Sequence, residues 1–164
     1  MPNTLSTLGI IHTAISVVSL IAGIVALIRY KEFTLGNTSG KVYLIGTLLT
    51  CITAFPIMAH GHPTAGHYLG VITIVTLLVG YVASRGTFGK RSHAVQMGAY
   101  SLTFVFQLIP GLTETLTRLP IGGPIMSSPD APFLKALPPV LFVIYLIGFF
   151  LQIRYFRKSS VSMA

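Results

Sequence analysis

Apolar positions gather in five long runs separated by short polar stretches: Leu5 to Ile28, Val42 to about Ala59, Tyr68 to Ala83, Ala94 to about Leu112 and Leu137 to about Ile153. A bilayer core needs about 20 apolar residues as a helix. The third run is the shortest and borrows Gly66, His67 and Ser84 at its ends. No run alternates as a barrel strand does, and helices satisfy their own backbone in lipid. The pattern therefore predicts an all-α fold, with residues 1–164 forming one transmembrane domain. That domain is expected to be an integral membrane bundle of five transmembrane helices, over about 5–29, 42–60, 66–84, 93–112 and 136–155.

Composition supports that class. Hydrophobic residues are 52% of the 164, and charged ones only 9%, with mean hydropathy +0.79. Average soluble chains carry about 25% charged residues, so an ordinary cytosolic enzyme, a disordered chain and a collagen-like fibre are excluded. Cys51 is the lone cysteine, which rules out an intrachain disulfide.

The net charge of +8 is topological. Arg29, Lys31, Lys41, Arg85, Lys90, Arg91, Arg154, Arg157 and Lys158 flank one side of the runs, whereas only Arg118 and Lys135 flank the other. By the positive-inside rule the first side is cytoplasmic, which places the N-terminus outside and the C-terminus inside. No basic run with interleaved aromatics lies outside those ends, so nucleic acid is not an expected partner. The first run has no Lys or Arg before it and ends in Arg29-Tyr30-Lys31, which reads as a spanning helix with a basic stop rather than a cleaved signal. The outer loop, 119–134, contains Pro120, Pro124, Pro129 and Pro132, which exclude helix there; it is a plain connector or a lid.

Small residues let membrane helices approach closely. Gly9, His12, Ser16, Ser19 and Gly23 form one stripe on the first helix, Gly46, Thr50 and Ala54 on the second, and Gly66, Gly70 and Thr73 on the third. These stripes are expected to face the bundle. On the fourth helix His93, Gln96, Tyr100 and Gln107, continued by Glu114, share a face. An amide inside a span needs a partner. The polar seam therefore either bonds helix to helix or lines a cavity for water or a ligand. Pro110 is expected to kink this helix or free a carbonyl near Gln107.

Of five histidines, His12, His60, His62 and His67 fall toward the outer side and His93 toward the inner. Imidazole suits zinc, copper, iron and nickel, and three histidines with an open position make a catalytic or transport geometry. Glu114 is a further candidate, as a ligand or by orienting a ring. Haem b is the second ligand reading, with His12 and His67 as its best imidazole pair. The alternative is that these are ordinary interfacial histidines. No catalytic constellation is evident.

Leu8-Gly9-Ile10-Ile11-His12 with the Gly23 helix, Gly40-Lys41-Val42-Tyr43, and Ser92-His93-Ala94-Val95-Gln96-Met97 with Tyr100 are three segments that together resemble a family of bacterial multi-pass membrane proteins of unknown function. The resemblance covers about residues 8 to 110. It implies a bundle in the bacterial inner membrane, with His12 and His93 at matched positions, and supplies no activity. The family often carries a histidine shortly before the glycine that opens its second helix, and Gly36-Asn37-Thr38-Ser39-Gly40 has none.

Three functional classes follow. One is a binding protein whose outer histidines hold a transition metal, zinc or copper, or a haem, for metal handling or electron transfer. Another is a structural or transport subunit whose helix-four seam contacts lipid, quinone or a partner helix, either of another protein or of a second copy. A membrane enzyme is the third.

Overall fold

The computed structural model describes residues 6–57, 62–118, 124–126, 128 and 130–161. Among them all regular structure is helical: α1 (Thr7–Tyr30), α2 (Thr38–Ala54), α3 (Ala65–Ser84), α4 (Ser92–Arg118) and α5 (Pro132–Val161), with a 3-10 turn at Gly89–Arg91 before α4. Three of the five, α1, α3 and α5, are long and apolar enough to cross a membrane.

That number corrects the expectation of five such spans, for two reasons. The second helix ends at Ala54 and not near residue 60, because Phe55-Pro56 interrupts it. Its 17 residues extend about 26 Å at 1.5 Å per residue, which makes it, and not the third, the shortest. Helix α4 is long, at 27 residues, but carries polar side chains along much of one side.

Helix starts follow local chemistry. The Ser6 hydroxyl accepts from the Gly9 N–H at 3.1 Å and caps α1. The Asn37 side chain accepts from the Gly40 N–H at 2.7 Å, which starts α2 four residues before its apolar run. Pro132 opens α5 instead of excluding helix, since proline at the first helical position forfeits an N–H that has no intrahelical partner anyway. Helix α4 runs on past Pro110 to Arg118, beyond the expected end at 112. Residues 119–123, 127 and 129 of the expected 119–134 loop lie outside the described residues, and 132–134 belong to α5.

The chain divides into two compact units, Met1–Thr103 and Phe104–Ala164. In the first, α1 packs along α2, and α2 against α3. The approach of α1 to α2 is close: a Cβ at Gly46 would lie 2.8 Å from Ser19 Cβ. A Cβ at Gly80 of α3 would overlap the Tyr100 ring of α4. Phe33, in the loop after α1, is fully buried on Tyr43, with ring centroids 4.4 Å apart. In the second unit Val105, Leu134, Leu137 and Leu141 form an aliphatic cluster. The outward sides of α1, α3 and α5 are almost wholly apolar.

Candidate functional site

A line of hydroxyls joins the helices of the first unit. The Ser19 hydroxyl of α1 donates to the Tyr43 carbonyl of α2 at 2.9 Å and lies 3.1 Å from the Thr47 hydroxyl. One turn along, the Ser16 hydroxyl lies 3.3 Å from that of Thr50. One more turn along, His12 Nδ1 lies 3.0 Å from the Thr53 hydroxyl. At the other end the Tyr43 hydroxyl reaches the Thr103 hydroxyl of α4 at 2.7 Å. Ser19, Tyr43, Thr47 and Thr103 are all buried. The predicted α1 stripe does face the bundle, as do Gly70 and Thr73 of α3, but Gly66 is exposed.

His67 is defined by its bonds. It sits at the third position of α3, where Thr64 is the N-cap. Its Nδ1 accepts from the Thr64 backbone N–H at 3.0 Å, and the Thr64 hydroxyl is also at 3.0 Å. Its Nε2 lies 3.2 Å from the Phe55 carbonyl. An amide N–H only donates and a carbonyl only accepts, so the ring is held with its proton on Nε2. This is a capping box with histidine in the place of Glu or Gln, and it ties the start of α3 to the end of α2.

His12 and His67 therefore both reach the end of α2, on residues two apart in sequence. His62 is exposed, and its Nδ1 lies 3.3 Å from the Pro63 carbonyl. His60 lies outside the described residues. Glu114 is exposed on α4 in the second unit. Among the described residues no three of His, Cys, Asp and Glu gather as a metal-binding group.

The expected seam on α4 divides by environment. His93 Nε2 lies 2.7 Å from Glu32 Oε2 in the loop after α1, with the histidine half exposed and the carboxylate mostly covered. Gln96 is half-buried. Tyr100 is buried against Gly80. Gln107, in the second unit, is only 6% exposed. No buried side-chain nitrogen or oxygen among the described residues lacks a hydrogen-bond partner.

Sequence reasoning did not single out Thr47, Thr53, Thr103 or Glu32, nor Tyr43 as part of the polar line. The spacing of Tyr43, Thr47, Thr50 and Thr53, steps of four, three and three, held the signal: it puts one hydroxyl per turn on one face. Comparison of the chain with known family models, with curated proteins and with solved structures finds no match, so the resemblance to a bacterial membrane family gains no support from them.

Proposed function

We propose that the chain is a multi-pass protein of the bacterial inner membrane, crossing five times with its N-terminus outside, and that it is a non-enzymatic structural or transport subunit. One observation carries this reading: a line of polar side chains from His12 to Thr103 bonds helix to helix inside the first unit, while the outward sides of α1 and α3 are almost wholly apolar. In lipid such bonds hold helices in register. The short α2 crosses with help from Phe55 to Ile57, and α4 crosses because its buried polar positions leave an apolar side for lipid. The nine-to-two split of basic residues sets the orientation.

Topology reporters inserted after Ser39, Thr64 and Thr87 test it. The first and third report from the cytoplasm and the second from outside. Ser39 and Thr64 on the same side would remove α2 as a span and with it the five-span bundle.

An outer metal centre is the second reading, favoured by the convergence of His12 and His67 on the end of α2. His12, His60 and His62 are its ligands, for zinc or copper, with His67 as the brace between helices. Haem b is not carried further, because axial ligation through His67 would break one of the bonds that fix its ring. Elemental analysis of the purified protein decides: stoichiometric metal lost in His62→Ala supports the centre, and metal-free protein excludes it.

A further inference from the structure

The connections between α1 and α2 and between α3 and α4 meet at one end of the first unit, where the Glu32–His93 bond joins them. Arg29, Lys31, Lys41, Arg85, Lys90 and Arg91 all lie on these connections or on the adjoining helix turns, and all six are exposed. Glu32 is the one acid in these segments, and it is bonded to His93.

The α3–α4 turn is built to display its side chains. Gly86 and Gly89 take φ of +83° and +55°, a region that residues with a Cβ rarely adopt. The Gly89 N–H donates to the Gly86 carbonyl at 2.9 Å. The Thr87 hydroxyl turns back to the Val82 carbonyl at 3.0 Å, and the Phe88 N–H donates to the Ser92 hydroxyl at 2.9 Å. The turn thus uses its own polar groups internally and leaves Phe88 47% exposed, with exposed Arg85 before it in the chain and exposed Lys90 and Arg91 after it. Tyr30 and Tyr81, near the ends of α1 and α3, are exposed as well.

We propose that this turn binds the headgroup of an anionic phospholipid, with Arg85, Lys90 and Arg91 meeting the phosphate and Phe88 inserted among the acyl chains. The proposal rests on the membrane reading above. Basic residues beside a bilayer are attracted to anionic headgroups, and aromatic rings settle at the boundary between headgroup and hydrocarbon. An acidic soluble protein would satisfy the cations but would leave Phe88, and the apolar sides of α1 and α3 leading to it, without a counterpart. A lipid satisfies both.

The test is native mass spectrometry of the full chain, released from micelles doped with equal phosphatidylglycerol and phosphatidylcholine. The wild-type chain retains phosphatidylglycerol preferentially. The Arg85→Gln/Lys90→Gln/Arg91→Gln variant loses that preference by about tenfold to a hundredfold. Phe88→Ser weakens retention without a change of charge. The control Arg154→Gln/Arg157→Gln/Lys158→Gln removes as many charges from the end of α5 and keeps the preference. Equal retention of the two lipids, or an equal loss in both triple variants, overturns the proposal. So does displacement of the lipid by millimolar inorganic phosphate, which would make the site one for free phosphate. A chain that does not fractionate with membranes fails the membrane reading itself, whereas a membrane-bound chain with no lipid preference fails only this inference.

Discussion

In the first unit α1, α2 and the start of α4 are joined by hydroxyls and an imidazole, whereas the cluster around α5 in the second unit is aliphatic: Val105, Leu134, Leu137 and Leu141. In water the aliphatic cluster would be the stronger glue, because burial of apolar area drives folding. In a bilayer that advantage fades, since lipid tails are as apolar as leucine. Hydrogen bonds and close backbone approach remain, and the first unit has both, in the Ser19–Tyr43 bond and the approach of Gly46 to Ser19. The contrast predicts that the first unit has a defined helix register, with the apolar outward side of α5 left to lipid.

Substitutions that break the contrast rank by size. Tyr43→Ala removes a fully buried ring, its contact with Phe33 and its bond to Thr103. It is expected to cost about 3–5 kcal/mol, read by unfolding in detergent micelles. Leu137→Ala opens a gap in the aliphatic cluster and is expected to cost about 2 kcal/mol, the low end for leucine truncation. A Leu137→Ala effect above that of Tyr43→Ala would reverse the ranking of the two units. His67→Ala leaves the Thr64 N–H and the Phe55 carbonyl without their present partner. The expected loss is about 0.5–2 kcal/mol, the range for helix caps, and His67→Gln is expected to restore part of it through an ordinary capping box. Ile144→Ala, on the exposed side of α5, is expected to stay within about 0.5 kcal/mol.

How much of this was readable in the chain varies with the length scale of the cause. Five helices follow from five apolar runs, since periodicity and run length are local. The inward stripe of α1 was legible because its small and polar residues recur at steps of three and four. The boundaries of α2 were not, because they turn on Asn37 as a cap and on Phe55-Pro56 as a stop, outside or inside the apolar run. Pro132 was misplaced for a related reason: a proline at the first helical position gives up no intrahelical bond and can open a helix.

The site was less legible than the fold. Imidazoles near one end of a bundle look the same in sequence whether they cap, bridge or bind metal. Only the positions of Thr64 and Phe55 show that His67 is occupied on both nitrogens. Likewise the helix-four stripe predicted a shared face, and the partners of that face, Glu32 for His93 and Gly80 for Tyr100, are 61 and 20 residues away in the chain.

The claim that internal polar groups serve helix packing is tested most directly by a double-mutant cycle on Tyr43→Phe and Thr103→Val, with unfolding free energies measured in micelles. The two sites touch at 2.7 Å. The account predicts a coupling of about 0.6–1.7 kcal/mol; strictly additive effects, with no coupling, would contradict it.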